Sequence, residues 1–534
     1  MQQNSCRGRF LAAGSLSLLF FVFFVVPLAP SCRQDGSTDD EEKRSRAVSL
    51  AGHKVEEEGD GVGLVRPTEG ETSPEEEASG DEEGPARGPH PPESPRPLNV
   101  VLITADTLRG DMLGVNGNEE VRTPRLDALA SKGVNFRRAY TNITTTTPSF
   151  ASLFSSLYPQ DHGVYSNMDR VSDEVVMLPE ILKEAGWHTA AYINMPWLNP
   201  EVTNVPQGID EINRGDRIRK ADATNRWVLD FFDRRKQAPD DPFFLWVHYI
   251  DNHTPYHAPG EFDRMYYPED RDPRGRESGS LQEVWPRFPI DMRDNEHVER
   301  WLRGITDKDY VIGHYKGSVT WIDGKVGRLI DRLKKNDQWE NTLFVFTSDH
   351  GESLGEHEIW FSHGGLYEVT ARIPLIVRLP DGPEGKQVDA IVSLVDLKPT
   401  ILRILGLQVP EQARGQDVWT VARGESSGPM AAYLEHTGRQ LTGVVTPQFK
   451  YIRHLRTRRD IYPEYPIVRG TVELYDLESD PGELKNLAEA RPEVVERLAR
   501  LHEELAAGER PFVAEEATID EETEEALRAL GYIQ

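Results

Sequence analysis

The sequence predicts an α/β protein: a mixed, mostly parallel sheet covered by helices on both faces, with a smaller C-terminal α+β part. Three observations carry this. Short apolar runs rich in β-branched and aromatic residues recur along the chain, each is followed by an acidic residue, and helix-type stretches lie between them. Strands buried on both faces read as near-continuous hydrophobic runs, which is the mark of a central parallel strand.

The first run is residues 98–104 (LNVVLIT), leading to Asp106. The second is 243–250 (FFLWVHYI), leading to Asp251 and His253. The third is 342–348 (TLFVFTS), leading to Asp349, His350, Gly351 and Glu352. Residues 126–132 and 319–335 read as helix-type stretches, the latter with apolar side chains at helical spacing. Ligands of such sheets gather at the carboxyl ends of the strands, where these acids and histidines fall. A lone Asp at a strand end is more often a helix cap or turn residue. Three strands ending alike favour a metal centre, and an adjacent Asp-His pair suits Zn, Mn or a related divalent ion. Neighbours in a strand point apart, so Asp349 and His350 converge only if the strand breaks, a break expected at Gly351.

Residues 140–149 (YTNITTTTPS) precede an apolar-periodic stretch, which places hydroxyls at a helix N-terminus. Free N–H groups and the helix dipole favour an anion there. Taken alone the run is equally an N-cap; beside a metal that lowers a hydroxyl pKa it becomes a candidate nucleophile.

Composition narrows the function. With 61 Lys+Arg against 89 Asp+Glu, the net charge of -28 leaves no cationic footprint for nucleic acid, so none is expected as a partner. At 38% hydrophobic residues the chain is too polar for a multi-span membrane protein. Its 2 cysteines, Cys6 and Cys32, exclude a disulfide scaffold and leave any downstream chemistry without thiols.

Residues 1–32 read as an export or lipoprotein signal: Arg7 and Arg9, an uncharged apolar run over 10–26, then small residues before Cys32. That run is marginal for a full membrane span, which needs about 20 residues. Residues 33–97 hold 18 acidic and 8 basic side chains and almost no large apolar ones, the composition of a disordered, extended tether. The chain is therefore expected to be exported, as a periplasmic or cell-envelope lipoprotein or secreted, touching a membrane only through its N-terminal anchor. The catalytic part is expected over 98–380 and the C-terminal part over 381–534, with a strand at 449–453 and an amphipathic packing helix over 492–505. Residues 258–310, rich in Asp, Arg and Pro, read either as an active-site lid or as a surface excursion.

In order, these pieces resemble the sulfatase family of the alkaline phosphatase superfamily, from about residue 98 to 505. The residues that carry the resemblance are Asn99 to Asp111, Thr123-Pro124 with Gly133 to Phe136, and Thr146-Thr-Pro148-Ser149 with Tyr158-Pro159 and His162-Gly163. To these add Asp349-His350-Gly351, Leu366-Tyr-Glu368 and Arg372-Ile-Pro374, then Asp396, Pro399, Asp476, Asp480-Pro481 and Asn486. The resemblance implies the alkaline phosphatase/sulfatase-like fold. The chain departs from the family's ordinary site at several places. Thr146 stands at the nucleophile position, where the family has Cys or Ser matured to formylglycine, and Phe150 stands where it has Arg. Its Lys-x-His falls on Asn194 and Pro196, its Lys before Leu-Tyr-Glu on His363, and its Asp-Asn pair and opening Asp-Asp on Asp349-His350 and Asp106-Thr107.

Those departures resemble the phosphoryl-handling branches. The resemblance implies one divalent ion (Zn, Mn, Ca or Mg) held by Asp106, Asp349 and His350 and completed by the Thr146 oxygen, with Thr146 attacking in line. It makes His253 the candidate to bind substrate or protonate the leaving group. His363 and Arg109 are candidate substrate ligands, and His363 with Asp251, joined or not by His257, is an alternative second metal site. His162 reads as structural. The expected function is hydrolysis of a phosphate, phosphonate or sulfate ester of a small molecule, glycan or lipid. Two rivals remain: a membrane-anchored phosphoglycerol- or phosphoethanolamine-type transferase, and a silent binder of anionic glycans.

Overall fold

The computed structural model describes residues 97–530 apart from 194, 215–219, 275–278, 459–460 and 509–511. The expected export segment, nearly all of the acidic tether and Asn194 lie outside the described residues.

Nine strands form the main sheet: β1 (Asn99–Ala105), β2 (Val134–Tyr140), β3 (His188–Tyr192), β4 (Glu211–Asn213), β5 (Phe243–Tyr249), β6 (Thr342–Thr347), β7 (Arg372–Ile373), β8 (Leu375–Arg378) and β9 (Lys386–Ser393). Their order is β7-β2-β8-β6-β1-β5-β3-β4, with β9 also on β2. β1 runs parallel to β5 and β6, β3 to β4 and β5, and β9 to β2; β7 and β8 make the antiparallel pairs. The sheet is thus mixed and mostly parallel, the fold class read from the sequence.

Alternation along β1 shows why its run is apolar throughout. Val100 and Leu102 join a core with Phe150, Leu153 and Phe154 of α2 (Thr146–Ser155). Val101 and Ile103 join another with Leu126 of α1 (Pro124–Ser131) and Val319, Ile322 and Val326 of α4 (Lys308–Lys335), which packs against α3 (Ala221–Arg235). Successive side chains point to opposite faces, so a strand covered on both sides needs apolar residues at every position.

A second, antiparallel sheet runs β10 (Ala432–Glu435), β11 (Leu441–Val445), β12 (Phe449–His454), β13 (Val472–Asp476). On it lies a helix, Pro492–Ala506, whose Val494 and Leu498 are buried with Val444, Phe449 and Leu474. A buried ion triad holds this sheet to the segment before β7: Lys450 Nζ of β12 is 2.8 Å from Glu368 Oε1 and 2.8 Å from Glu483 Oε1.

Candidate active site

β1 lies between β5 and β6 in register, Thr104 level with His248 on one side and Thr347 on the other. That pairing brings the residues just past the three strands together. Asp106, Asp349 and His350 are fully buried, and a carboxylate or imidazole atom of each lies within 4.8 Å of the others. β6 ends at Thr347, two residues before Asp349, so the adjacent side chains are free to converge. Gly351, expected to break the strand, is needed for a different reason: a Cβ there would collide with the Val369 carbonyl oxygen.

Hydrogen bonds fix the ligand atoms. Asp349 Oδ1 accepts the backbone N–H groups of Thr107 (3.1 Å) and His350 (2.9 Å). Among the described residues, none stands at hydrogen-bonding geometry to Asp349 Oδ2 or to either oxygen of Asp106. His350 Nδ1 is 3.0 Å from the Gly351 carbonyl, which can only accept, so Nδ1 carries the proton and Nε2 the lone pair. Nε2 faces Asp349 Oδ2 at 3.4 Å and Thr146 Oγ1 at 3.5 Å. Burial, then the Asp349 and Glu352 charges, hold the Asp106 carboxyl well above the usual range. Burial, then His363, drives His350 well below its ordinary value. Two carboxylates this close repel by roughly 3.5 kcal/mol at an effective dielectric near 20. Orphaned buried oxygens beside a neutral imidazole form a donor set that fits a divalent cation.

Thr146 opens α2, preceded by Thr145 as N-cap. Ser149, one turn on, donates its hydroxyl to the Asp349 carbonyl at 2.8 Å and ties the helix to the ligand segment. Phe150 is wholly buried, its ring edge-on to Trp246 and His248 at 4.8 and 4.9 Å, so no guanidinium projects from this helix turn.

The histidines gather beside the cluster. The His363 ring is 4.6 Å from that of His350 and 5.8 Å from that of His253, and its Nδ1 is 3.6 Å from Glu352 Oε2. His253 Nδ1 donates to the Thr254 carbonyl at 2.6 Å, and burial, then His363, pushes its pKa well down. His253, His363, Glu352 and Thr145 share a cavity of about 200 Å³ with Asn167, His436 and, from the segment read as lid or excursion, Met292 and Val298. A larger cleft of about 1090 Å³ opens where β1 and β5 begin and touches none of these groups.

Two candidates lie elsewhere. Arg109, expected to meet the substrate, is buried and held by carboxylates: it donates to both Asp111 oxygens (2.9 and 2.7 Å) and to Glu356 Oε1 (2.7 Å). Asp251, considered for a second metal, instead caps α3, accepting the Ala221 N–H at 3.0 Å and the Trp321 indole N–H at 3.0 Å. His257 stands with Trp321, its pKa pushed down to about 4 by burial. His162 bridges Ser152 Oγ (3.0 Å) and the Val164 N–H (3.1 Å), a structural arrangement.

Sequence reasoning missed two groups at the centre, His248 and Lys220, and gave a third, Glu352, no role. His248 lies behind Asp106, its Nε2 3.5 Å from Oδ2 and its Nδ1 2.9 Å from Thr104 Oγ1. A polar residue inside an apolar central strand was the available signal. Glu352 accepts the hydroxyls of Thr254 (2.9 Å) and Tyr256 (3.0 Å). Lys220, whose ammonium burial pushes down against the pull of Asp251 and Asp106, left no signal in the sequence.

The chain is also similar to known proteins in sequence and fold. The family model described as Sulfatase matches residues 98–407, and one described as N-sulphoglucosamine sulphohydrolase, C-terminal, matches 355–510. An arylsulfatase of Clostridium perfringens is 28% identical over 456 residues, covering 73% of this chain and 90% of that protein. An N-acetylglucosamine-6-O-sulfatase of Bacteroides thetaiotaomicron is 24% identical over 488 residues, covering 75% of this chain and 84% of that one. Among solved structures, a phosphonate monoester hydrolase of Agrobacterium radiobacter superposes with a TM-score of 0.60 at 22% identity, covering 77% of this chain and 95% of that one.

Proposed function

Because the chain belongs to the sulfatase family of the alkaline phosphatase superfamily and is a hydrolase of that family, we propose that it cleaves a phosphate, phosphonate or sulfate ester through Thr146. The observation that carries this is Thr146 Oγ1, 3.5 Å from His350 Nε2, beside the unpartnered oxygens of Asp106 and Asp349. Asp106, Asp349 and His350 would hold a single divalent ion. Bound there, such an ion lowers the pKa of a neighbouring hydroxyl and stabilises charge on the transferred group.

The chain's own groups do the rest. Thr146 Oγ forms the bond to phosphorus or sulfur as the bond to the ester oxygen breaks, and the proton that Thr146 gives up ends on the departing alcohol. Water then breaks the Thr146 ester and restores the hydroxyl. The first turn of α2 favours the negative charge that builds beside Thr146. His253, its ring pinned by the Thr254 carbonyl, orients the substrate from the cavity wall and serves the leaving oxygen, with His363 beside it. The N-terminal pattern supports export, and the names of the relatives support an aryl or glycan ester as substrate class.

The test is to measure bound metal and to assay aryl phosphate, phosphonate and sulfate esters with the native protein and with Thr146→Ala. Metal-dependent turnover that vanishes in Thr146→Ala is expected. Turnover that survives the substitution rules out Thr146 as nucleophile.

A further inference from the structure

We propose that the C-terminal segment, residues 512–530, completes the active site. Leu530, with Met292 and Val298, forms an apolar subsite for the leaving group, and the substrate is the ester of a compact, uncharged, apolar alcohol. This rests on the reading of the centre as an ester hydrolase acting through Thr146.

Hydrogen bonds hold the segment at both ends. Glu515 and Glu516 pair antiparallel with Arg170 and Asp169, and the Ala517 N–H donates to the Met168 carbonyl at 2.8 Å. The helix that follows, Glu521–Ala529, buries Ala526 and Leu527 in the same core as Phe150 and Leu153 of α2. At its end the Arg528 carbonyl accepts Nδ2 of Asn295 at 2.8 Å. Oδ1 of that amide accepts the N–H groups of His297 (2.8 Å) and Val298 (3.3 Å). One side chain thus ties the tail to the turn that carries Val298. The Ile290 N–H donates to the Ile461 carbonyl at 3.3 Å, which joins that same segment to the loop carrying Tyr462.

These ties bring three segments far apart in sequence to the cavity of about 200 Å³, where Met292, Val298, Tyr462 and Leu530 meet Met168 and Phe361. His253, Glu352 and His363 enter it from the loops after β5 and β6. An anionic ester head needs that polar lining, which leaves the apolar lining for its alcohol. A second negative charge on the alcohol would meet the Glu352 carboxylate, with no Lys or Arg among the described lining residues to offset it. The hydroxyls of a sugar would lose water against aliphatic and thioether side chains. Sites for drug-sized ligands run to about 300–1,000 Å³, so this one suits a smaller group.

The test uses the whole protein with manganese present, native and as Leu530→Lys and Leu530→Gln; Leu530 is half-buried at the end of its helix, and Tm is followed alongside. Calorimetry measures the binding of phenol, 4-hydroxybenzoate and N-acetylglucosamine, the free alcohols, and kcat/KM is compared for the phenyl and 4-carboxyphenyl esters. Native protein is expected to bind phenol at least about tenfold tighter than the other two and to favour the phenyl ester likewise. Leu530→Lys should shrink the phenol to 4-hydroxybenzoate ratio by about tenfold and Leu530→Gln should weaken phenol alone, with Tm unchanged. Native protein that binds phenol and 4-hydroxybenzoate alike, or the sugar more tightly, overturns the proposal. So does a ratio in Leu530→Lys within twofold of native. Turnover that survives Thr146→Ala removes the nucleophile reading alone, because the binding of the free alcohols does not depend on it; turnover that needs Thr146 without phenol binding removes the subsite alone.

Discussion

A hydroxyl becomes a nucleophile only where its proton is easily lost, and Thr146 has a helix N-terminus on one side and a metal-type donor set on the other. Thr146→Ala is expected to lower kcat/KM by at least about 10³-fold, while Thr146→Ser keeps measurable turnover in the same assay. Protons would compete with a metal at Asp106. Its folded-state pKa is raised by burial and by Asp349, so acidification protonates it early and a cation must displace that proton. The rise in Tm that manganese produces should therefore shrink steadily as pH falls from about 7.5 toward the usual carboxylate range near 4, as scanning calorimetry at fixed manganese would show. A manganese effect that grows on acidification would contradict the assignment of Asp106 as a ligand.

Helix α2 shows how an element serves the core and the site at once. Its inner face packs Phe150, Leu153 and Phe154 under the sheet while its first residue meets His350. Phe150→Arg would place the family's side chain back in sequence but not in space, because the ring it replaces is packed against Trp246 and His248. Loss of the buried ring and burial of a charge should cost about 4 kcal/mol or more, seen as a lower urea midpoint, with no gain in sulfate-ester turnover. Elements of this kind were legible beforehand. β1, β5 and β6 announce themselves as apolar runs, and the acids and histidines after them mark the carboxyl edge. Arg109 was not legible, since its partner Glu356 is 247 residues away and only the folded chain joins them. Asp251 stayed open in the sequence because a helix cap and a metal ligand look alike when all that is visible is an acid after a strand.

At the scale of the whole molecule, the Lys450 triad fastens the second sheet to the segment that carries Glu368, five residues beyond His363. Lys450→Met would leave Glu368 and Glu483 facing each other without their cation. A buried pair broken on one side costs about 3–5 kcal/mol, so a lower Tm is expected, with Glu368→Gln in the same chain recovering part of it. The placement of β1 between β5 and β6 also has a consequence in time. The first cluster residue, Asp106, is made early, but its companions Asp349 and His350 follow only after more than two hundred further residues. A chain still being synthesised or threaded across a membrane thus carries single ligands and no assembled site. An ion held by these three residues would be taken up only once β6 is in place, in the compartment where the chain completes its folding.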